Sequence, residues 1–248
     1  MSQYYTPKRL RNLYDPNSIE SFRLSRSRID KFINCPRCFY LDRRLGISRP
    51  SFPAFSLNNA VDILLKKEFD IHRARQTAHP LMEAYGLKAV PFAHTKMDDW
   101  RDALRKGVEY LHPATNLMIT GGVDDIWQNE QKELIVVDYK ATSTVKEISL
   151  DDEYKSGYKR QMEVYQWLLR QNGFKVSDTG YFVFANGQID RKAFDGRLEF
   201  SVQIVPYIGD DQWVEKAVLG LHQCLNLVKA PSPGEDCEYC RYVRAAQE

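Results

Sequence analysis

The sequence lacks the features that mark several classes of protein. It contains no run of about 18 apolar residues, the length at which a segment becomes a candidate membrane span. Its first residues are polar and offer no apolar stretch for a signal peptide, so we expect a cytoplasmic protein that does not associate with a membrane. Internal repeats, low-complexity tracts and Gly/Ser/Pro-rich linkers are also missing. No Gly-x-x-x-x-Gly-Lys-Ser/Thr loop occurs, so these residues contain no P-loop helicase motor.

The length and composition fit one globular domain. The chain has 248 residues, of which 43% are hydrophobic and 27% charged, enough to bury one substantial core. We predict a flexible basic arm over residues 1–20 and a single domain over residues 21–248.

The net charge of +2 conceals an asymmetry along the chain. Residues 1–50 contain eleven Lys and Arg residues against four acidic ones, and the remainder is acidic on balance. This distribution suits a protein that grips a polyanion with one surface and holds cations with another. A solvated, charge-rich surface explains the same numbers equally well.

The hydrophobic periodicity predicts an order of helices and strands. Helices are predicted over residues 25–44 (broken at Pro36), 57–74, 97–111, 154–171 and 210–227, and strands over 116–128, 133–141, 180–185 and 198–205. A short polar turn joins the first two strands, which predicts a hairpin. The order indicates an α/β fold with a mixed central sheet flanked by helices.

The predicted hairpin carries acidic residues and a lysine. Asp124 lies in its first strand, and Asp138 and Lys140 lie in its second, where residues i and i+2 share a face. Burying such charges is costly without a partner, and a Mg²⁺ or Mn²⁺ ion held by two carboxylates would supply one. A bound ion activates water, and a nearby lysine can stabilise the developing negative charge. The alternative is a surface Asp–Lys pair on an edge strand.

Four motifs then occur in the order expected of one superfamily. They are an early Ser-x-Ser start leading to Cys35-Pro36, the Gly-x-x-Asp of Gly121–Asp124, the Asp-x-Lys of Asp138–Lys140, and the Gln-x-x-x-Tyr of Gln161–Tyr165. From about Leu24 to Tyr242 the chain resembles the PD-(D/E)XK nucleases. Within them it is similar to the RecB-like branch, which includes the RecB and AddB nuclease domains and CRISPR-associated exonucleases.

The resemblance implies a restriction-endonuclease-like fold. It also implies that the protein is an Mg²⁺- or Mn²⁺-dependent deoxyribonuclease and acts as an exonuclease. It favours Asp124 over Asp125 as a metal ligand, makes Asp138 the second ligand and makes Lys140 the catalytic lysine. A single PD-(D/E)XK nuclease domain would then occupy residues 21–248.

Two further site predictions follow from the same resemblance. Gln161 and Tyr165 share one face of the following helix, where they can support the site or meet DNA phosphate. Where the branch often has a metal-binding His on an early helix, this chain has Asp62. We expect Asp62 to be a third carboxylate ligand, and the alternative is a solvated helix carboxylate.

The cysteines predict a second metal centre. Four of the five form two Cys-x-x-Cys pairs, Cys35/Cys38 and Cys237/Cys240, which in a cytosolic chain indicate a metal site before disulfides. By count, four thiolates suit Zn²⁺ and an iron–sulfur cluster equally. The resemblance implies a [4Fe–4S] cluster, with Cys38 substituting for a late cysteine that this chain lacks; zinc is the alternative. Either centre would join the N- and C-terminal segments, whereas Cys224 is expected in a helix core.

The expected partner is DNA, as a single strand or a duplex end, together with a helicase or a CRISPR or repair protein. Candidate phosphate contacts, which would make binding salt-dependent, are Arg26, Arg28, Lys31, Lys159 and Arg160. RNA is an alternative substrate, although no RNA-reading motif is recognisable. The competing functions are a nucleic-acid-binding domain that does not cut and a zinc-stapled interaction module.

Overall fold

The computed structural model describes residues 8–50, 55–152 and 155–247. The described residues divide into two compact units, one drawn from Met1–Pro53, Tyr110–Thr120 and Gln212–Glu248, the other from Ala54–Glu109 and Gly121–Asp211. Residues 1–7 of the predicted arm and residue 154, the predicted start of a helix, lie outside the described residues. The arm and the single domain over residues 21–248 stay predictions.

Half of the described helices precede the strands of the main, five-stranded sheet along the chain, and two helices follow its last strand. In order they are β1 (Phe22–Ser25), α1 (Arg26–Asn34), α2 (Pro36–Arg44), α3 (Ser56–Arg75), α4 (Pro80–Ala84), β2 (Ala89–Pro91), α5 (Met97–Arg101), β3 (Val108–His112), β4 (Leu117–Gly121), β5 (Asp125–Asn129), β6 (Leu134–Thr142), α6 (Ser156–Gln171), β7 (Thr179–Gly187), β8 (Phe200–Ile208), α7 (Gln212–Leu225) and α8 (Glu238–Ala245). None of the helices in the described ranges is long and apolar enough to cross a bilayer.

The first unit is mainly helical. Pro36 occupies the first position of α2, where its missing N–H is not needed, so the predicted break between two helices is confirmed. Helix α7 packs against both α1 and α2. Strand β1 pairs in parallel with β4 in a three-stranded sheet of order β1-β4-β3.

The second unit is built on a five-stranded mixed sheet of order β2-β5-β6-β7-β8. Strands β6 and β7 are parallel, and the other three neighbouring pairs are antiparallel. The predicted hairpin is confirmed as β5 and β6. Helices α3 and α6 both pack against β6, which confirms the predicted α/β fold with a mixed sheet flanked by helices.

The two faces of strand β6 meet different helices. Val137 and Tyr139 join a hydrophobic core with Phe69 of α3. Because side chains alternate along a strand, Asp138 and Lys140 belong to the opposite face, where Gln161 of α6 bonds to both. The alternation therefore places Asp138 and Lys140 on the face that meets α6, opposite the face that packs against α3.

The predicted helix over residues 97–111 is wrong beyond Arg101. Helix α5 ends there, and strand β3 begins at Val108. Gly107 has a φ of +85°, in the left-handed region that glycine adopts readily. Its N–H donates to the Asp99 carbonyl at 2.8 Å, which closes the loop between α5 and β3. The apolar run after the turn is short, and a short apolar run does not distinguish a helix from a strand.

The predicted strand over residues 116–128 is two strands in different sheets. Strand β4 pairs with β1, whereas β5 pairs with β2 and β6. The chain leaves regular structure at Gly122, so Asp124 lies directly before β5 rather than within it. The sequence pattern also missed the short elements α4 and β2 and the helix α8.

Candidate active site and four-cysteine group

The amide of Gln161 connects the charged face of β6 to helix α6. Its Nε2 donates to Asp138 Oδ1 at 2.7 Å and to Tyr165 Oη at 3.1 Å, and its Oε1 accepts from Lys140 Nζ at 3.3 Å. Lys140 also forms an ion pair with Asp138. One side chain therefore holds three of the predicted site residues together, and the i, i+4 spacing places Gln161 and Tyr165 on one helical face.

The carboxylate of Asp138 is fully buried and incompletely partnered. Its Oδ2 accepts no hydrogen bond of good geometry from the described residues, although the ammonium of Lys140 lies beside it. Burial, reinforced by the nearby Asp124 carboxylate, raises the pKa of Asp138 to about 7 despite Lys140. A cation would partner this oxygen and favour its ionised form, so the donor set fits a hard divalent ion.

The neighbouring acids Asp124 and Asp125 have separate environments. Asp124 Oδ2 accepts the backbone N–H of Tyr139 at 3.0 Å, which brings this carboxylate to the strand that carries Asp138. Asp125 is fully buried, where it pairs with Arg73 and Arg101 and accepts the Tyr139 hydroxyl at 2.7 Å. Asp125 is thus compensated by two guanidinium groups, which leaves Asp124 as the acid beside Asp138.

Lys66 forms ion pairs with both Asp62 and Asp124. The Nζ of Lys66 lies 2.7 Å from Asp62 Oδ2 and 3.2 Å from Asp124 Oδ1. Burial, together with the Asp124 charge, raises the pKa of Asp62. Across the described ranges, Asp62, Asp124 and Asp138 do not bring one oxygen each within 4.8 Å of one another. Helix α3, which carries Asp62, packs on the Tyr139 face of the sheet and not on the Asp138 face.

Lys66 was not among the site residues predicted from the sequence. Its spacing of four residues from Asp62 was the available signal, because such pairs lie side by side on a helix. The same spacing is ordinary on solvated helices, so it acquires meaning only once Asp124 is known to lie beside it.

A cleft of about 340 Å³ opens beside these groups. The Lys140 ammonium lies 4.4 Å from the centre of the Tyr158 ring at the cleft wall. The cleft therefore places the carboxylates of Asp62 and Asp124 close to the Lys140 side chain. The lining residues are Asn58, Asn59, Val61, Asp62, Asp124, Tyr139, Lys140, Ala141 and Tyr158.

Two of the predicted DNA contacts surround a buried acid in the first unit. Arg28 and Lys31 reach Asp42 Oδ2 at 2.8 and 2.6 Å. Arg9 and Arg43 also pair with this carboxylate, which has no exposed surface. Four cations therefore share one carboxylate. These basic residues of the first 50 positions form ion pairs within the protein.

The other predicted DNA contacts are Arg26, Lys159 and Arg160. Lys159 is 5.8 Å from the centre of the Tyr207 ring, and Arg160 donates to Ser156 Oγ at 3.3 Å. Arg26 begins helix α1 and is half-buried. The DNA-binding roles of all five cations stay predictions.

The two Cys-x-x-Cys pairs come together in the first unit. One Sγ atom from each of the four cysteines lies within 4.8 Å of the other three. Cys35 precedes helix α2 and Cys237 precedes helix α8, so each pair straddles a helix N-terminus. The prediction that segments near the two ends of the sequence meet at a four-cysteine group that could bind a metal is confirmed.

The surroundings of the Cys35 sulfur favour its thiolate, whereas burial raises the pKa of Cys38 and that of Cys240. Cys35 Sγ accepts the backbone N–H of Gly234 at 3.3 Å and that of Cys38 at 3.5 Å. Although burial opposes ionisation, these donors lower the pKa of Cys35 to about 7. Arg49 donates to Cys237 Sγ at 3.3 Å. Cys224 instead lies buried in α7, as predicted.

Comparison with known proteins identifies the family. A family model described as the PD-(D/E)XK nuclease superfamily matches residues 23–245. No curated protein matches the chain. One similar solved structure, described as "Crystal structure of SSO0001", has 16% sequence identity and a TM-score of 0.44, with 94% of this chain and 86% of that chain covered. The match over residues 23–245 includes Asp124, Asp138, Lys140, Gln161 and all four grouped cysteines. The chain belongs to the PD-(D/E)XK nuclease superfamily.

Proposed function

We propose that this protein is a metal-dependent deoxyribonuclease of the RecB-like branch, acting as an exonuclease on phosphodiester bonds. The observation that carries the proposal is the bonding of Gln161 to Asp138, Lys140 and Tyr165, with Asp124 adjacent. Members of the superfamily are generally nucleases. The assembled motif residues support the same activity here.

Asp124 and Asp138 would hold a Mg²⁺ or Mn²⁺ ion, since carboxylate oxygens are the ligands these ions prefer. When bound, such an ion lowers the pKa of a water molecule and neutralises charge on the phosphodiester. Asp62 would become a third ligand only if its ion pair with Lys66 opens. Arg101 fixes the backbone at this point by donating from Nε to the Asp124 carbonyl at 3.0 Å.

Lys140 would act as a charged donor rather than as a base. Burial favours the neutral amine, but the carboxylates of Asp138 and Asp124 raise the pKa of Lys140 above its usual value. The ammonium can therefore orient a water molecule or donate to a phosphoryl oxygen where negative charge develops. Gln161 holds that ammonium in place, since its Oε1 accepts from Nζ.

DNA is the proposed substrate, as a single strand or a duplex end. Arg26, Arg28, Lys31, Lys159 and Arg160 are the proposed phosphate contacts, and each such contact would steepen the salt dependence of binding. A helicase or a CRISPR or repair protein as partner, and a location in the cytoplasm, follow from the sequence and the resemblance alone. The four cysteines would form a structural centre, for which the sequence leaves a [4Fe–4S] cluster and zinc open.

The proposal is tested by cleavage of end-labelled single-stranded and duplex DNA in Mn²⁺. Asp138→Ala should abolish cleavage, and Lys140→Ala should slow it about 10²–10³-fold, the usual effect of removing a donor to developing charge. Lys88→Ala is the matched control, because the Lys88 side chain is 78% exposed. DNA binding, measured by fluorescence anisotropy in EDTA, should change little in the two site variants.

Two outcomes would contradict the proposal. Wild-type protein that binds DNA but never cuts it would favour a binding domain. Cleavage that persists undiminished in both Asp138→Ala and Lys140→Ala would assign the hydrolysis to other residues or to a contaminant. Cleavage of RNA in preference to DNA would retain the mechanism and change the substrate.

A further inference from the structure

We propose that the four-cysteine group holds a single tetrahedral Zn²⁺ ion and not the [4Fe–4S] cluster that the resemblance implies. The proposal concerns the cysteines of the first unit and is independent of the nuclease activity. It stands on the spacing of the sulfur atoms and on the packing that fixes this spacing.

Three of the six pairs of sulfur atoms lie at the separations expected around one ion. Cys38 Sγ is 3.6 Å from Cys237 Sγ and 3.7 Å from Cys240 Sγ, and Cys35 Sγ is 3.8 Å from Cys240 Sγ. With Zn–S bonds of about 2.3 Å, the edges of a regular tetrahedron of sulfur atoms measure about 3.8 Å. The three distances therefore match a ZnS₄ centre to within 0.2 Å.

A [4Fe–4S] cluster needs a wider arrangement of cysteines. Each thiolate binds a different iron at a corner of the cube, so the cysteine sulfur atoms are roughly 6 Å apart. Here all four Sγ atoms lie within 4.8 Å of one another. The whole group would have to expand outward before the cubane could fit between the thiolates.

The packing around the group opposes such an expansion. Cys35 is completely buried, and the N–H of Gly234 approaches its Sγ to 3.3 Å. The Gly234 backbone runs so close that a Cβ at this position would lie 2.8 Å from the Asn34 carbonyl oxygen. Arg49 holds Cys237 Sγ at 3.3 Å while its guanidinium lies 4.4 Å from the centre of the Tyr239 ring. The sulfur atoms are thus confined from at least two sides.

The placement of the two pairs also suits one ion. In each pair the first cysteine precedes a helix and the second lies in its first turn, so a two-residue spacer aims both sulfur atoms at one point. Four thiolates around Zn²⁺ leave a net charge of −2, which the Arg49 guanidinium and the N-termini of α2 and α8 offset. The same net charge would arise with an oxidised cubane, so the spacing, and not the charge, selects zinc.

The test measures the metal bound to the complete chain. Protein made in medium containing both iron and zinc and purified without oxygen should contain about one zinc per chain and be colourless. X-ray absorption at the zinc edge should show one shell of four sulfur atoms at about 2.3 Å, with no second metal nearby. Cys240→Ser should lose most of the zinc and melt at a lower temperature. Cys224→Ser, at the cysteine outside the group, should retain one zinc.

Other results would overturn the proposal. Brown protein with about four irons and matching sulfide per chain would show that the group opens to accept a cubane. Folded protein without either metal would show that the four thiols form no metal centre, and zinc retained in full by Cys240→Ser would show that the ion is not held by all four cysteines. None of these measurements depends on DNA cleavage, so a failure here is distinguishable from a failure of the proposed nuclease function.

Discussion

Gly121 offers a way to disturb the site without touching any of its polar groups. A Cβ at this position would lie 2.6 Å from Tyr165 Cε1 and 2.8 Å from Cδ1, where ordinary contacts begin at 3.4 Å. In Gly121→Ala the edge of the Tyr165 ring must therefore retreat by roughly 0.8 Å, and it is buried with little room to do so. The Gly-x-x-Asp motif thus has a steric role at its first glycine.

The displacement is large enough to alter the bonding of Gln161. Its Nε2 donates to Tyr165 Oη at 3.1 Å, and a retreat of that size would break this bond. The amide would then be held only by Asp138 and Lys140, and their positions would become less fixed. Since a misplacement of about 1 Å at an active site can cost 10²-fold in rate, we expect kcat to fall about 10- to 100-fold. Overpacking should also lower the free energy of unfolding by about 1–3 kcal/mol.

The fall in the cleavage rate is measured by single-turnover cleavage in Mn²⁺ at a temperature well below the melting transition. The loss of unfolding free energy is measured by urea denaturation. Gly209→Ala is the matched control, because its Cβ would lie 2.2 Å from Gln166 Oε1 on the same helix, and its three nearest atoms belong to Gln166 and Glu163. It should destabilise the protein while leaving kcat within about threefold of wild type. A Gly121→Ala variant with unchanged kcat, or equal losses of kcat in the two variants, would show that the contact between position 121 and Tyr165 does not position Gln161.

Three further predictions concern charged groups. Asp42→Asn should lower the free energy of unfolding at pH 7 by about 3–5 kcal/mol in urea denaturation, because it leaves buried cations without their carboxylate. Despite burial, those cations hold the pKa of Asp42 well below its usual range. This stabilisation is therefore present above the unfolded pKa of about 3.9 and is lost as the pH falls below it. A difference in unfolding free energy between wild type and variant that stays constant below that pH would contradict the role of the ionised Asp42 carboxylate. Lys66→Met should bind Mn²⁺ about tenfold more tightly in calorimetry, because it removes the cation between Asp62 and Asp124; weaker binding would show that the ammonium positions the two acids. Because burial raises the pKa of Asp138 to about 7, protons should compete with Mn²⁺ below that pH, so the apparent affinity rises with pH and levels off above about 7; a flat profile that Asp138→Asn reproduces would exclude this group.

The parts of the fold that the sequence predicted are those in which local pattern and tertiary packing agree. The β5–β6 hairpin combines two apolar runs with a polar turn, and α6 combines a broad apolar face with a Gly173 signal at its end. The division of residues 116–128 between two sheets was not predictable. Both parts have strand-like composition, and the partner that separates them, β1, lies far away in the sequence.

The candidate site divides in the same way. The Asp138–Lys140 alternation and the Gln161–Tyr165 spacing predicted side chains on common faces, because those relations are local. The bridging of Asp62 to Asp124 by Lys66 depends on how α3 packs against the sheet, which no local pattern contains. The surrounding of Asp42 by four cations was missed for the same reason, so Arg28 and Lys31 looked like surface charges in the sequence.

The positions of the four cysteines in the sequence also determine when their group can form during synthesis of the protein. Cys38 and Cys237 are separated by 199 positions, so at about 5–20 residues per second the first pair leaves the ribosome tens of seconds before the second exists. During that interval Cys35 and Cys38 have no partner cysteines from the second pair. They must stay reduced and must not bind another thiol or metal before the second pair is made. The four-cysteine group can therefore form only after Cys240 has been synthesised, so a metal ion that joins the two pairs would bind at that stage.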